Sequence, residues 1–400
     1  MRAVVVGTGK IGCGYLAPLF VRAGWEVVVA ARTAETTERI RSAGRFRVRV
    51  TGTDGGTYDV SGVRAVLAGS PEFDEAVADA DVVATAVGVD NVVALGRPLA
   101  RALAARDADR AVDVWVVENQ DRAADLQRAV LRAAGEYGLE LPPVGFAGAV
   151  AAVAVGRGDW RSAEPPEFVG DGARLLSVDR TRLCRPLPCL PGVRGTSQYL
   201  PRLREKLYVF NTGHAMCAYL GALRNHPSID RAVVDPVLRP LVVGCMLESR
   251  KALLRSHATL GTDVHGPVAE ALARYGDTEL ADPVARVARD PLRKLAPGDR
   301  LLGPAEQTRA VLGRVPAHFA LGIAGALLYR HPADTQAGQL VEMLREQGVA
   351  WVLESVCGLD PAGDLAQAVA TRYRGFILTR EGAVFPPVHA PSPVPNEGGR

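Results

Sequence analysis

The six cysteines of this 400-residue chain (13, 184, 189, 217, 245 and 357) include no C-x-x-C pair and no zinc-ligand spacing. That excludes a small disulfide scaffold or a zinc module and predicts reduced, mostly buried thiols, with no metal. Excess charge is equally scarce, since 47 basic residues face 44 acidic ones and leave a formal net charge of +3. No strong field is set up toward nucleic acid or an anionic bilayer, so neither is an expected partner. No run of about 18 apolar residues occurs, as a spanning helix would need. The chain opens on a short apolar strand where a secretory signal would carry a basic segment and a longer apolar one. Internal repeats are missing too. The expectation is a soluble, cytoplasmic protein. Its hydrophobic content of 48% suffices for one large or two ordinary domains.

What is present begins at the N-terminus. Met1 to Val6 reads as a strand and Tyr15 to Ala23 as an amphipathic helix, with Gly7-Thr8-Gly9-Lys10-Ile11-Gly12 between them. A glycine triplet alone says little. Placed between strand and helix, and followed by a second strand at Glu26 to Ala31, it is the pattern of a doubly wound α/β sheet that binds a dinucleotide. Gly7 permits the tight turn, Gly9 lets a pyrophosphate approach the backbone, and Gly12 lets helix and strand pack closely. The second strand ends in Ala31-Arg32-Thr33, with no acidic residue to bind a ribose diol. The Arg32 guanidinium and Thr33 hydroxyl suit a 2′-phosphate, with Arg39 as a further contact, so NADP(H) is expected and NAD(H) is the alternative. The competing reading is a solvated arginine at a strand end.

Two more strand ends point to the same region, because ligands lie beyond the carboxyl ends of parallel strands. Asp81 to Ala86 runs into Val87-Gly88, which places Ala86, Val87 and Gly88 near a nicotinamide ribose. Asp113 to Val117 runs into Glu118-Asn119, where Asn119 either donates to a substrate oxygen or caps the next helix.

Lys206-Leu207-Tyr208-Val209-Phe210-Asn211-Thr212-Gly213-His214 puts an amine, an amide and an imidazole on nine residues. On a regular helix, at about 100° per residue, Asn211 lies about 140° and His214 about 80° around from Lys206, so all three can line one wall of a cleft. The set suits proton-coupled hydride transfer at a secondary alcohol. A partly dried lysine can take the hydroxyl proton, an amide can donate to the developing oxyanion, and an imidazole can hold the substrate. The bland alternative is a lysine at a helix end, an asparagine cap and a surface histidine. Further on, Arg293, Lys294 and Arg300 fall within Asp290 to Arg300, beside the turn Pro297-Gly298-Asp299. Such a cluster suits a phosphomonoester, against the alternative of a solvated basic face.

These segments resemble the polyol-specific long-chain dehydrogenases, and within them the mannitol-1-phosphate 5-dehydrogenase branch. The resemblance rests on Gly7 to Gly12, Thr85 to Gly88, Glu118-Asn119 with Arg122, Lys206 to Gly221 and Asp290 to Leu301, and spans roughly residues 1–373. It implies a monomeric, metal-independent enzyme with a Rossmann domain and a mostly helical substrate domain. Lys206 would then be the general acid/base, Asn119 and Asn211 would bracket the reacting oxygen, and His214 would contact substrate. The chain departs from that pattern at Ala31, Lys10 and Cys13, and in the apolar segment Gly145 to Ala152.

The expected domains are 1–156 for dinucleotide binding, a partly β connection at 157–200, a helical substrate domain at 201–378 and a disordered, proline-rich tail at 379–400. Pro236 and Pro240 should bend or split the helical stretch Ile229 to Leu254. The expected activity is oxidoreduction of a phosphorylated sugar or polyol. The alternatives are the same chemistry on an unphosphorylated polyol or cyclitol, and a non-catalytic NADP(H) sensor.

Overall fold

Short valine-rich segments with no polar face are stable only when both faces are covered, and that sets the architecture of the first half. The structure is a computed structural model that describes all residues except 53, 54, 163, 174, 380, 381 and 389–400. The chain divides into two units, Met1–Leu203 and Arg204–Arg400.

In the first unit, β1 (Arg2–Val6), β2 (Glu26–Ala31), β5 (Val63–Leu67), β6 (Val82–Thr85), β7 (Val112–Val116) and β8 (Val144–Ala151) form a parallel sheet in the order β5-β2-β1-β6-β7-β8. β11 (Leu176–Asp179) extends it antiparallel to β8, and β12 (Val193–Thr196) follows parallel to β11. Alternation along the strands feeds two cores. Ala3, Val5, Val27 and Val29 face one, and Val4, Val6, Val28 and Ala30 face the other. The strand order reverses between β1 and β6, which is where such sheets open a ligand crevice. The doubly wound sheet is therefore as expected.

A second sheet, β4-β3-β10-β9, is anticipated in the sequence reading only through the partly β connection that contains β10. β3 (Arg45–Val50) and β4 (Gly56–Ser61) form a hairpin; β10 (Glu167–Gly170) pairs parallel to β3, and β9 (Val155–Arg157) closes the set. Residues 157–200, expected as a connection between domains, thus supply strands to both sheets and lie within the first unit.

The second unit is helical, again as expected. Its centre is the helix Asn211–Leu223, whose residues Ala215 to Leu220 are all buried. Only a helix surrounded by others can be apolar on every side. Helices Leu238–Ser256, Val284–Ala288 and Ala317–Leu327 enclose it in one core. The stretch from Ile229 is split into Ile229–Val234 and Leu238–Ser256. Pro240 falls in the first turn of the latter, where its missing N–H leaves no helical bond unmade. Near the C-terminus, β13 (Ile377–Thr379) and β14 (Gly382–Val384) pair antiparallel, so the segment expected as a disordered tail contributes an ordered strand. Its residues from 389 onward lie outside the described ones. No described helix is long and apolar enough to cross a membrane.

Candidate active site

In the first unit the glycine turn is fixed by close backbone approach. Gly7 has φ +113°, and a Cβ there would stand 2.3 Å from the Ala86 carbonyl oxygen. A Cβ on Gly12 would stand 1.8 Å from the Gly7 carbonyl oxygen, so the helix start lies directly on the turn. Gly7 N–H donates to Ala30 O at 2.9 Å, which ties the ends of β1 and β2 together. Above Gly9 a Cβ would meet nothing within 4 Å. A glycine turn at a helix start, with open space over Gly9, fits a pyrophosphate approached by backbone amides. Thr8 and Ile11 are partly buried in this turn. Lys10 reaches away, its amine donating to Gly156 O at 2.6 Å.

The Glu118 carboxylate, 9% exposed, accepts the Val87 and Gly88 N–H groups at 2.8 and 3.0 Å. It thereby shapes the loop after β6 that begins at Ala86. Asn119 lies exposed beyond β7, three residues before Arg122, the N-cap residue of the helix Ala123–Tyr137 that follows. Arg32 is exposed past the end of β2. Thr33 caps the helix Ala34–Ala43 by accepting the Thr36 N–H at 3.2 Å. Arg39 is committed to Trp160 O and to Glu35, both at 2.6 Å.

In the second unit the Lys206 segment departs from the regular helix expected. Tyr199–Glu205 is α-helical, Lys206–Phe210 is a π turn, and Asn211–Leu223 resumes the α-helix. The defining bond runs from Asn211 N–H to Lys206 O. A π turn holds one residue more than an α turn, which rewinds everything after it by about 100°. Relative to Lys206, Asn211 moves from about 140° to about 40°, and His214 from about 80° to about 20° on the opposite side. The irregularity gathers all three groups onto one face.

Lys206 is partly buried and Asn211 is 8% exposed. The His214 ring stacks on Tyr275, with centroids 5.3 Å apart and planes 9° from parallel. Its Nε2 lies 3.4 Å from the buried Asp282 carboxylate, which is also paired with Arg286. Burial pushes the His214 pKa below the usual histidine value; Asp282 opposes the shift and the charges of Arg286 and Arg300 add to it. The imidazole is therefore neutral at physiological pH. With the carboxylate holding the proton on Nε2, Nδ1 is left as an acceptor.

The basic run is joined to this face. Thr212 donates its hydroxyl to Arg300 O at 2.6 Å, and Tyr208 OH donates to Gly298 O at 3.3 Å. Arg300 Nε and its backbone N–H both donate to Asp299, at 2.7 and 2.6 Å. The terminal nitrogens of Arg300 have no protein acceptor among the described residues. Arg293 lies 3.6 Å from Asp299. Lys294 is 4% exposed, and burial, with Arg300 and Arg293 alongside, lowers its pKa well below the usual lysine value. Among the described residues no group of three or more His, Cys, Asp or Glu side chains could hold a metal ion.

Sequence reasoning did not single out Tyr275 and Asp282, which lie far along the chain from His214 and carry no local signal. Thr212 and Gly213 stood inside the motif but had no assigned part.

A glycine turn at the switch point of a parallel sheet, and an amine–amide–imidazole face in a helical second unit, define a two-unit Rossmann-type oxidoreductase. The comparisons with known proteins agree. The Mannitol dehydrogenase Rossmann domain model matches residues 1–142, and the Mannitol dehydrogenase C-terminal domain model matches residues 200–376. The chain belongs to the mannitol dehydrogenase family, oxidoreductases that act on the CH–OH group of polyols. Among solved structures it is similar to Pseudomonas fluorescens mannitol 2-dehydrogenase, solved as a ternary complex with NAD and D-mannitol. The identity is 15% over 94% of this chain and 91% of that one, with a TM-score of 0.73. A D-sorbitol dehydrogenase shows 16% identity over 93% and 92%, with a TM-score of 0.67. A 2-dehydropantoate 2-reductase from Geobacter metallireducens shows 20% identity over 82% and 99%, with a TM-score of 0.54. At these identities the likeness is one of fold.

Proposed function

We propose that the protein interconverts a secondary alcohol and a ketone on a phosphorylated sugar or polyol, of the mannitol 1-phosphate/fructose 6-phosphate kind, using NADP(H). The observation that carries this is the π turn, which sets Lys206, Asn211 and His214 on one face beside the Arg300 cluster. A nicotinamide dinucleotide bound at the glycine turn would accept or supply the hydride. Lys206 takes the hydroxyl proton in oxidation and returns it in reduction. The amides of Asn211 and Asn119 donate to the oxygen as charge develops there, an effect commonly worth about 3 kcal/mol per donor. Neutral His214 accepts from a neighbouring substrate hydroxyl through Nδ1. Arg300 and Arg293 anchor the phosphate through charge-assisted bonds, and buried Lys294, its pKa lowered, joins them where the bound anion restores its proton.

Exposed Arg32, with no acidic residue at Ala31, favours NADP(H). The NAD carried by the mannitol 2-dehydrogenase structure favours NAD(H) instead, and the names of both polyol dehydrogenases favour an unphosphorylated polyol as the second reading. One panel separates these: NADPH and NADH oxidation against matched phosphorylated and free ketoses and cyclic ketones. The expected outcome is turnover of a ketose phosphate with at least tenfold preference for NADPH, equivalent to about 1.4 kcal/mol. No hydride transfer to any ketone with either cofactor would leave only a nucleotide-holding sensor.

A further inference from the structure

A π turn is less well bonded than the α turns on either side of it, so something must favour it here. Its carbonyl oxygens show what does. The Phe210 carbonyl accepts the Tyr275 hydroxyl, and the Leu207 carbonyl takes the weaker 3.3 Å branch of the Thr212 hydroxyl bond, which runs chiefly to Arg300 O at 2.6 Å. Thr212 is fully buried and Tyr275 is 4% exposed, so water cannot replace either donor. Burial holds the Tyr275 phenol far from ionisation, which keeps it a donor at every working pH. Gly213 makes room for it: a Cβ there would lie 2.9 Å from the Tyr275 hydroxyl and 2.4 Å from the Met246 sulfur. The same tyrosine carries the His214 ring on its face and packs against Phe210, with ring centroids 5.1 Å apart. One side chain therefore touches both the bulge that sets the helix register and the imidazole that the register delivers.

We propose that Tyr275 is a positioning residue for the candidate active site: its hydroxyl holds the π turn Lys206–Phe210, and its ring holds His214, so that Lys206, Asn211 and His214 share one face. The catalytic part of this rests on the proposed oxidoreduction; the structural part does not. Without the hydroxyl, Phe210 O keeps only helical partners, and the turn can relax toward α geometry with Asn211 and His214 rotated away from Lys206.

Two readouts test it on the full chain. Tyr275→Phe removes the donor and keeps the ring. Amide exchange at Asn211, whose N–H makes the π bond, should quicken about tenfold, as expected for one lost hydrogen bond of about 1.4 kcal/mol. Exchange at Met216 to Leu220, deeper in the helix, should stay as in wild type. With a ketone that the wild type turns over, kcat should fall about tenfold with KM within twofold, and Tyr275→Leu, which also removes the stacking, should raise KM as well. Should Tyr275→Phe not accumulate as folded protein, Gly213→Ala displaces the same hydroxyl and is read the same way. Unchanged exchange at Asn211 overturns the proposal, and so does loosened exchange with wild-type kcat. Wild-type enzyme inactive on every ketone would instead strike the proposed activity, while the exchange result still decides what holds the turn.

Discussion

The first unit places a π turn, Gly12–Leu16, directly after its glycine turn; the second places another, Lys206–Phe210, under its candidate base. The two are held by different means. In the first, Pro18 follows closely. Proline offers no N–H to the carbonyl four residues back and its ring presses on that carbonyl, so the preceding turn widens. Gly12 and Gly14 then let the widened turn lie against β1 and against Val155 and Phe168. Everything needed sits within a few residues. The second π turn contains no proline, and its carbonyls are satisfied by Thr212 and by Tyr275, the latter 65 residues from Phe210. A locally determined bulge is robust scaffold. A bulge held by a distant side chain can be lost to one substitution far along the chain.

The comparison breaks most visibly at Lys206. Lys206→Ala should lower kcat by about a thousandfold or more, within the range of general acid–base contributions. Dinucleotide affinity and melting temperature should stay near wild type, because the first unit is untouched. Wild-type turnover in this variant would remove the amine from the chemistry. Next comes Arg300→Ala. Beside the second unit's π turn lies the basic cluster of Arg293, Lys294 and Arg300, so KM for a phosphorylated substrate should rise about thirtyfold, about 2 kcal/mol for a charge-assisted bond. KM for the free polyol should change less than twofold. Equal effects on the two substrates would mean that the Arg300 side chain acts only by bracing Asp299.

The same contrast explains what could be read in advance. Val-rich strands alternating with helical stretches announced the parallel sheet, and Gly7 and Gly12 occupy contacts that no Cβ could enter, so one short segment carried its own meaning. The segment Lys206 to His214 suggested a chemistry, and its regular-helix reading did not anticipate the π turn. A regular helix would have spread Lys206, Asn211 and His214, and the rewinding comes from a tyrosine on another helix. Asp282 and its hold on His214 were invisible for the same reason, since no periodicity links residues 214 and 282. The β3–β4 hairpin was missed because it pairs with β10, more than a hundred residues later. Thr33, assigned to a phosphate, turned out to cap a helix, a part that its place before Ala34 would equally have suggested.

Two smaller effects sharpen the comparison. Pro18→Ala restores an N–H facing the Gly14 carbonyl and should let the first π turn tighten, shifting the Gly12–Leu16 amides under the glycine turn. Dinucleotide affinity, followed by equilibrium titration, should weaken three- to fivefold while the second unit keeps its exchange pattern; unchanged affinity would show that packing, not proline, widens that turn. The smallest effect is acid sensitivity, which for histidine belongs to the second unit, since all seven histidines lie beyond Leu203. Burial lowers the folded-state pKa of His214 below the 6.5 it has when exposed. Below about pH 6.5 the unfolded chain therefore binds a proton that the folded one refuses, and stability falls until the folded histidine is protonated too. His257 is shifted in the same direction, so the contribution of His214 is the difference between wild type and His214→Asn. The urea midpoint of the variant should drop less between pH 7.5 and 5.5 than that of wild type. An equal drop would mean that folded His214 titrates as it does in the unfolded chain, and a smaller drop in wild type than in the variant would mean that it is held charged in the folded protein.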